Sequence, residues 1–147
     1  KNVLGWESPG LTETNETIDV LADNGIKYVA DWVIDDQPQD LLVKNKNRML
    51  ALPYTVEMND VVFTAVQNHP SKEIFERGKA QFDQLYKESK QTTKIMSISI
   101  HPYLTGVPHR INYLNKLLDY ILEHNDVVFM TGEKINNWYC NEIEVLS

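Results

Sequence analysis

The 147-residue sequence predicts an α/β protein in which mostly parallel strands alternate with helices. Two patterns carry that expectation. Five short apolar runs are separated by stretches whose apolar residues recur at helical spacing, and helical connections favour right-handed crossovers and parallel pairing. The polar residues capable of chemistry (Glu7, Asp31, Asp35, Asp36, Glu57, Asn59, Asp60, His101 and Glu133) all fall just after predicted strands. Loops after predicted helices, such as Asn24-Gly25, carry ordinary turn residues. A parallel sheet gathers its chemistry at the C-terminal ends of its strands.

In chain order, Val3-Leu4 is the first strand, followed by a Gly/Pro loop from Gly5 to Leu11. Thr12 or Thr14 can cap a helix over Glu16 to Asn24, with Ile18, Leu21 and Ala22 on one face and Gly25 closing it. Lys27 to Ala30 reads as the second strand, and Asp31 to Asp40 as the acidic loop behind it. Met49 to Pro53 is the third, ending in the loop Tyr54 to Asp60. A short helix over Val61 to Asn68 stops near His69-Pro70, and Ser71 caps a long helix to Ser89. That helix buries Ile74, Phe75, Phe82, Leu85 and Tyr86. Ile95 to Ile100 is the fourth strand, a helix runs from His109 to His124, Val127 to Met130 is the fifth strand, and Gly132 to Asn141 is helical.

Composition narrows the function. With 42% apolar and 24% charged residues the chain is globular rather than disordered. A net charge of −7 without a Lys/Arg cluster argues against nucleic acid or an anionic membrane as partner. No apolar run approaches the ~18 residues of a membrane span. Cys140 is the only cysteine, which excludes an internal disulfide and fits a reducing, cytoplasmic setting. The chain opens without Met directly in a strand, as expected of a piece of something longer. It contains no Gly-x-Gly-x-x-Gly, P-loop, Gly-x-Ser-x-Gly elbow, paired cysteines or His-x-x-x-His, so no metal site is expected and general acid/base hydrolysis is the reaction type left.

His101 ends the β-branched run Ile95 to Ile100 and precedes a Pro/Gly-rich loop. An imidazole at a strand end is a candidate acid or base, against the plainer reading of a histidine satisfied by backbone. Asp31, also at a strand end, could hold the His101 ring. Trp32, Asp35 and Asp36 offer an indole and carboxylates, or a packed ring and a solvated loop with Asx-turns. Tyr54, Glu57 and Asn59 line a similarly dense loop, in which Asn59-Asp60 reads foremost as a helix cap. Tyr103, His109 and Arg110 follow the histidine. Cations at a helix start oppose its dipole, which hints at an anionic or carbonyl group there.

Together these loops resemble the polysaccharide deacetylase (NodB-homology, carbohydrate esterase family 4) superfamily, in particular its branch of allantoinases and related cyclic-amide hydrolases. The resemblance rests on Gly5-Trp6 with Pro9-Gly10-Leu11-Thr12-Glu13-Thr14, on Tyr28-Val29-Ala30-Asp31-Trp32 with Asp35-Asp36-Gln37-Pro38, and on Leu52 to Asp60. His101-Pro102-Tyr103-Leu104-Thr105-Gly106 with Pro108-His109-Arg110, then Thr131-Gly132-Glu133 and Asn137-Trp138-Tyr139, complete it. It implies the C-terminal half of a distorted (β/α) barrel, residues 1–147 forming a partial domain whose N-terminal half is missing. It also implies hydrolysis of a C–N bond in an acetamido sugar or cyclic ureide. His101 takes the place of the general acid in the family's Leu-x-His motif, here Ile98-Ser99-Ile100-His101, and Asp31 matches the carboxylate that tunes it.

The family's Asp-Asp base motif and His-x-x-x-His metal motif do not occur here, Glu7-Ser8 follows Trp6 where an arginine is frequent, and Tyr28 replaces an Asp. No cofactor is therefore expected in this chain, and a divalent metal could enter only through ligands in the missing half. Half a parallel barrel leaves unpaired edges, so pairing with the N-terminal half or with a second copy is expected. The alternative to an enzyme half is an inactive half-barrel used for binding or assembly.

Overall fold

The computed structural model describes residues 2–44 and 47–146, the side chains of 143–146 excepted. It divides into two compact units, Lys1–Tyr54 with Phe129–Ser147 and Thr55–Val128. The architecture is α/β with a mostly parallel sheet, as expected.

The first unit holds that sheet. Strands β1 (Gly5–Trp6), β2 (Tyr28–Val29), β3 (Gln39–Leu41) and β4 (Met49–Ala51) lie in the order β1-β2-β4-β3. The β1/β2 and β2/β4 pairs are parallel, while β3 runs antiparallel to β4. Every residue of β4 is buried, as a central strand requires. Helix α1 (Thr17–Asp23) crosses from β1 to β2. Its Ala22 joins Ile26, Val29 and Met49 in one core, flanked by Ile18, Leu21, Leu41 and Val43. Helix α4 (Gly132–Leu146) extends five residues past the expected Asn141. Gly5 stands opposite Tyr28 in the β1/β2 register, and a Cβ there would overlap the Tyr28 ring. A Cβ on Gly132 would come within 2.8 Å of the same ring. Two glycines thus make the slot for one tyrosine.

The second unit is helical. A π-helix spans Val61–Val66, followed by α2 (Glu73–Glu88) and α3 (Pro108–Leu122). Met58, Phe63, Ile74, Phe82, Leu114, Leu117 and Ile121 form its core. Gly78 of α2 lets Leu117 of α3 approach, since a Cβ there would overlap the leucine side chain.

Three sequence expectations are corrected. The first strand lies at Gly5–Trp6 rather than Val3-Leu4, although the Leu4 carbonyl already accepts the Lys27 N–H at 2.7 Å. Part of the acidic loop is a strand, because Gln39–Leu41 folds back on β4. The runs Ile95 to Ile100 and Val127 to Met130 are not ladder strands among the described residues. The former contributes one parallel bridge, Asn59 to Ser99, and in the latter Val128 is 75% and Phe129 57% exposed. A β-branched run becomes a strand only when a neighbour pairs with it. No helix among the described residues is long and apolar enough to cross a membrane.

Candidate functional site

In the second unit, the bridge between Asn59 and Ser99 lays the segment before the π-helix beside the segment ending in His101. The Asp60 N–H donates to the Ser99 carbonyl at 3.1 Å, and the Ser99 N–H donates to the Met58 carbonyl at 3.0 Å. That pairing aims the Asp60 side chain at the His101 loop. Asp60 is fully buried, and its Oδ2 accepts both the His101 backbone N–H at 2.8 Å and the Thr105 hydroxyl at 2.6 Å. Its Oδ1 lies 2.6 Å from His101 Nδ1. A carboxylate can only accept, so this contact selects the tautomer with hydrogen on Nδ1 and leaves Nε2 outside it. The imidazole side chain is 38% exposed, and the Tyr103 ring meets it edge-on at 5.5 Å between centroids. The loop closes on itself as the His101 carbonyl accepts from the N–H groups of Leu104 at 2.9 Å and Thr105 at 3.0 Å.

The carboxylate against His101 Nδ1 is thus Asp60, where capping was expected, and not the Asp31 expected there. Asp60 makes no side-chain bond at the start of the π-helix; the neighbouring Asn59 does, accepting the Val61 N–H at 2.9 Å. Two cap-type residues stood side by side where a turn needs one, and the surplus carboxylate was the available signal.

In the first unit, the loops after β1 and β2 meet at the C-terminal edge of the sheet. Asp31 is buried there, and its Oδ1 accepts the Ser8 N–H at 2.6 Å. The Trp32 indole donates to Glu13 Oε1 at 3.1 Å, and the Trp6 indole donates to the Ser8 hydroxyl at 3.0 Å. Burial, then hydrogen bonding to and repulsion from Asp31, push the Glu13 carboxyl up from 4.5 to about 7, against a smaller downward pull from the indole. Glu13 and Ser8 thus belong to this cluster, and sequence reasoning did not single them out because the loop holding them is read by its turn residues.

Asp35 is exposed and caps its own turn, accepting the Asp36 N–H at 2.6 Å and the Gln39 side chain at 3.3 Å, while Asp36 is half-buried. Tyr54 is buried. Glu57 is tied to Arg77 at 2.8 Å, an ion pair that favours a structural role. His109 is exposed on the first turn of α3. Arg110 donates to the Leu104 carbonyl at 3.3 Å, and its buried Nε has no partner among the described residues. No cluster of three or more His, Cys, Asp or Glu that could hold a metal ion occurs among the described residues. The donor set for the divalent metal that the resemblance allows is not found in them.

The chain as a whole is similar to known proteins. The chain is 31% identical over 106 residues to a putative polysaccharide deacetylase of Schizosaccharomyces pombe, covering 71% of this chain and 33% of that one. It superposes on a probable polysaccharide deacetylase of Pseudomonas aeruginosa with a TM-score of 0.85 at 31% identity, covering 95% of this chain and 47% of that one. The chain belongs to the polysaccharide deacetylase superfamily. Its allantoinase branch is represented by the Puue allantoinase, with a TM-score of 0.84 and 32% identity over 91% of this chain and 45% of the other. No family model matches the chain. This deacetylase-like chain spans a third of the curated relative it matches and about half of the solved structures.

Proposed function

We propose that this chain is the acid-bearing half of a deacetylase-like enzyme that hydrolyses a C–N bond in a small-molecule or sugar amide. The observation that supports this reading is the Asp60–His101 pair. A buried carboxylate holds Nδ1, so a protonated imidazole presents its Nε2–H outward to a leaving nitrogen at the moment the C–N bond breaks. Asp60 orients the ring and balances its charge. Tyr103, at the ring's edge, borders the position that a substrate would occupy. The base and any metal would come from an N-terminal half, supplied by the same gene or by another chain. The exposed apolar residues Val128 and Phe129 suit burial against such a half.

The experiment is a hydrolysis assay on acetamido sugars and cyclic ureides, using the chain joined to or mixed with its N-terminal half. Loss of turnover in His101→Ala supports the acid role, and an unchanged rate removes His101 from the mechanism. A second reading, for the case in which these residues act without a base-bearing half, is an inactive half-barrel for binding or assembly. Substrate binding without turnover by the completed protein would establish it.

A further inference from the structure

The cluster at the C-terminal edge of β1 and β2 contains an acceptor without a donor. Asp31 is only 5% exposed, its Oδ1 is satisfied by Ser8, and its Oδ2 is buried with no hydrogen-bond partner among the described residues. A buried carboxylate oxygen left unpaired is costly. The side chain within reach of Asp31 is Glu13, another carboxyl. Two carboxylates cannot bond to each other, but a carboxylic acid and a carboxylate can.

The loop is built to bring them together. Pro9 and Gly10 occupy the centre of a tight turn, with the Leu11 N–H donating to the Ser8 carbonyl at 2.9 Å and Gly10 at φ 63°. Leu11 follows at φ 56°, a left-handed conformation rare for an apolar side chain and held only under constraint. This winding delivers Glu13 to the Trp32 indole beside Asp31.

We propose that Glu13 and Asp31 share one proton, and that Glu13 is a positioning residue whose protonated carboxyl fixes Asp31 and Trp32. Glu13 then accepts from the indole through one oxygen and donates to Asp31 Oδ2 through the other, which supplies the missing donor. Its raised titration, about 7, follows from burial first and the facing Asp31 second. Asp31, on the loop after β2, is an ionisable group that faces it. The inference does not depend on the catalytic reading of His101.

Infrared difference spectra of the 147-residue chain between about pH 5.5 and about pH 8.5 test it, a window above the ordinary carboxylate range. A protonated carboxyl C=O band should disappear on raising the pH and be missing in Glu13→Gln. Trp32 emission should titrate over the same range in the wild type. It should be flat in Glu13→Gln, whose amide can accept from the indole and donate to Asp31 at any pH. Glu13→Ala, with neither bond, should change the emission at all pH values, and Trp32→Phe identifies the signal. No protonated-acid band in the wild type, or an undiminished band in Glu13→Gln, overturns the proposal. Both results are read without Glu13→Ala, so they stand even if that variant does not fold.

Discussion

Asp60→Asn separates what the buried carboxylate does for His101 from what it does for the fold. The amide keeps the shape but has one acceptor oxygen in place of two. Placed at the Oδ2 position, that oxygen still takes the His101 N–H and the Thr105 hydroxyl, now 2.8 and 2.6 Å from Oδ2. The amide nitrogen then faces Nδ1, 2.6 Å from the present Oδ1, and donates to it. The ring proton moves to Nε2 and the neutral tautomer is inverted. Exchanging bonds to a charged acceptor for neutral ones costs about 1–2 kcal/mol of stability. The wrong tautomer costs kcat on the order of 10⁴ in a comparable His–carboxylate pair. Asp60→Ala instead orphans the Thr105 hydroxyl and the His101 N–H, and costs about 2–5 kcal/mol. The assays are ring ¹⁵N NMR of His101, denaturant unfolding, and hydrolysis by the completed enzyme. Retention of hydrogen on Nδ1 in Asp60→Asn, or an unshifted unfolding midpoint in Asp60→Ala, refutes the reasoning.

Further substitutions probe the rest. Thr105→Val removes one hydroxyl bond to Asp60 and should lower stability by about 1 kcal/mol in urea unfolding, with a smaller effect on rate than Asp60→Asn. Gly5→Ala drives a Cβ into the Tyr28 ring and should destabilise by about 1–3 kcal/mol, partly restored in the double variant with Tyr28→Ala. Leu117→Ala, in the α2–α3 contact, should cost about 2–5 kcal/mol by thermal or denaturant unfolding. Glu13 makes stability depend on pH in a defined sense. Its folded value, about 7, exceeds the unfolded 4.5, so its contribution is complete below 4.5 and is lost as pH rises through about 7. The loss is bounded by about 3 kcal/mol and reduced by solvent screening, and urea midpoints across that range should flatten in Glu13→Gln.

The helices were legible because their apolar periodicity is local: α1 lies within the expected Glu16 to Asn24, and α3 within two residues of either expected end. The parallel core of the sheet was legible from Tyr28-Val29 and Met49–Ala51, apolar runs flanked by loops. Strand β3 was not, since Gln39-Asp40 is polar and becomes a strand only because β4 offers an antiparallel edge. The same dependence on pairing demoted Ile95 to Ile100 to a single bridge. His101 was singled out from its position after that run, whereas its contact with Asp60 was hidden. Asp60 and His101 are 41 positions apart, and periodicity carries no information about which of several acids crosses that gap.

The closed turn after His101 separates two kinds of evolutionary freedom. Its fixed points are the histidine, Thr105 on the buried acid, and Gly106, where any Cβ would strike the Pro102 carbonyl. Between them, Pro102 and Tyr103 are exposed and make no bond to the buried acid, although the Tyr103 ring rests edge-on against the imidazole. On the proposed reading, those two side chains can change, and with them the contours offered to a compound, while His101 keeps its aim. On that reading, selectivity can drift without reinventing the reactive group.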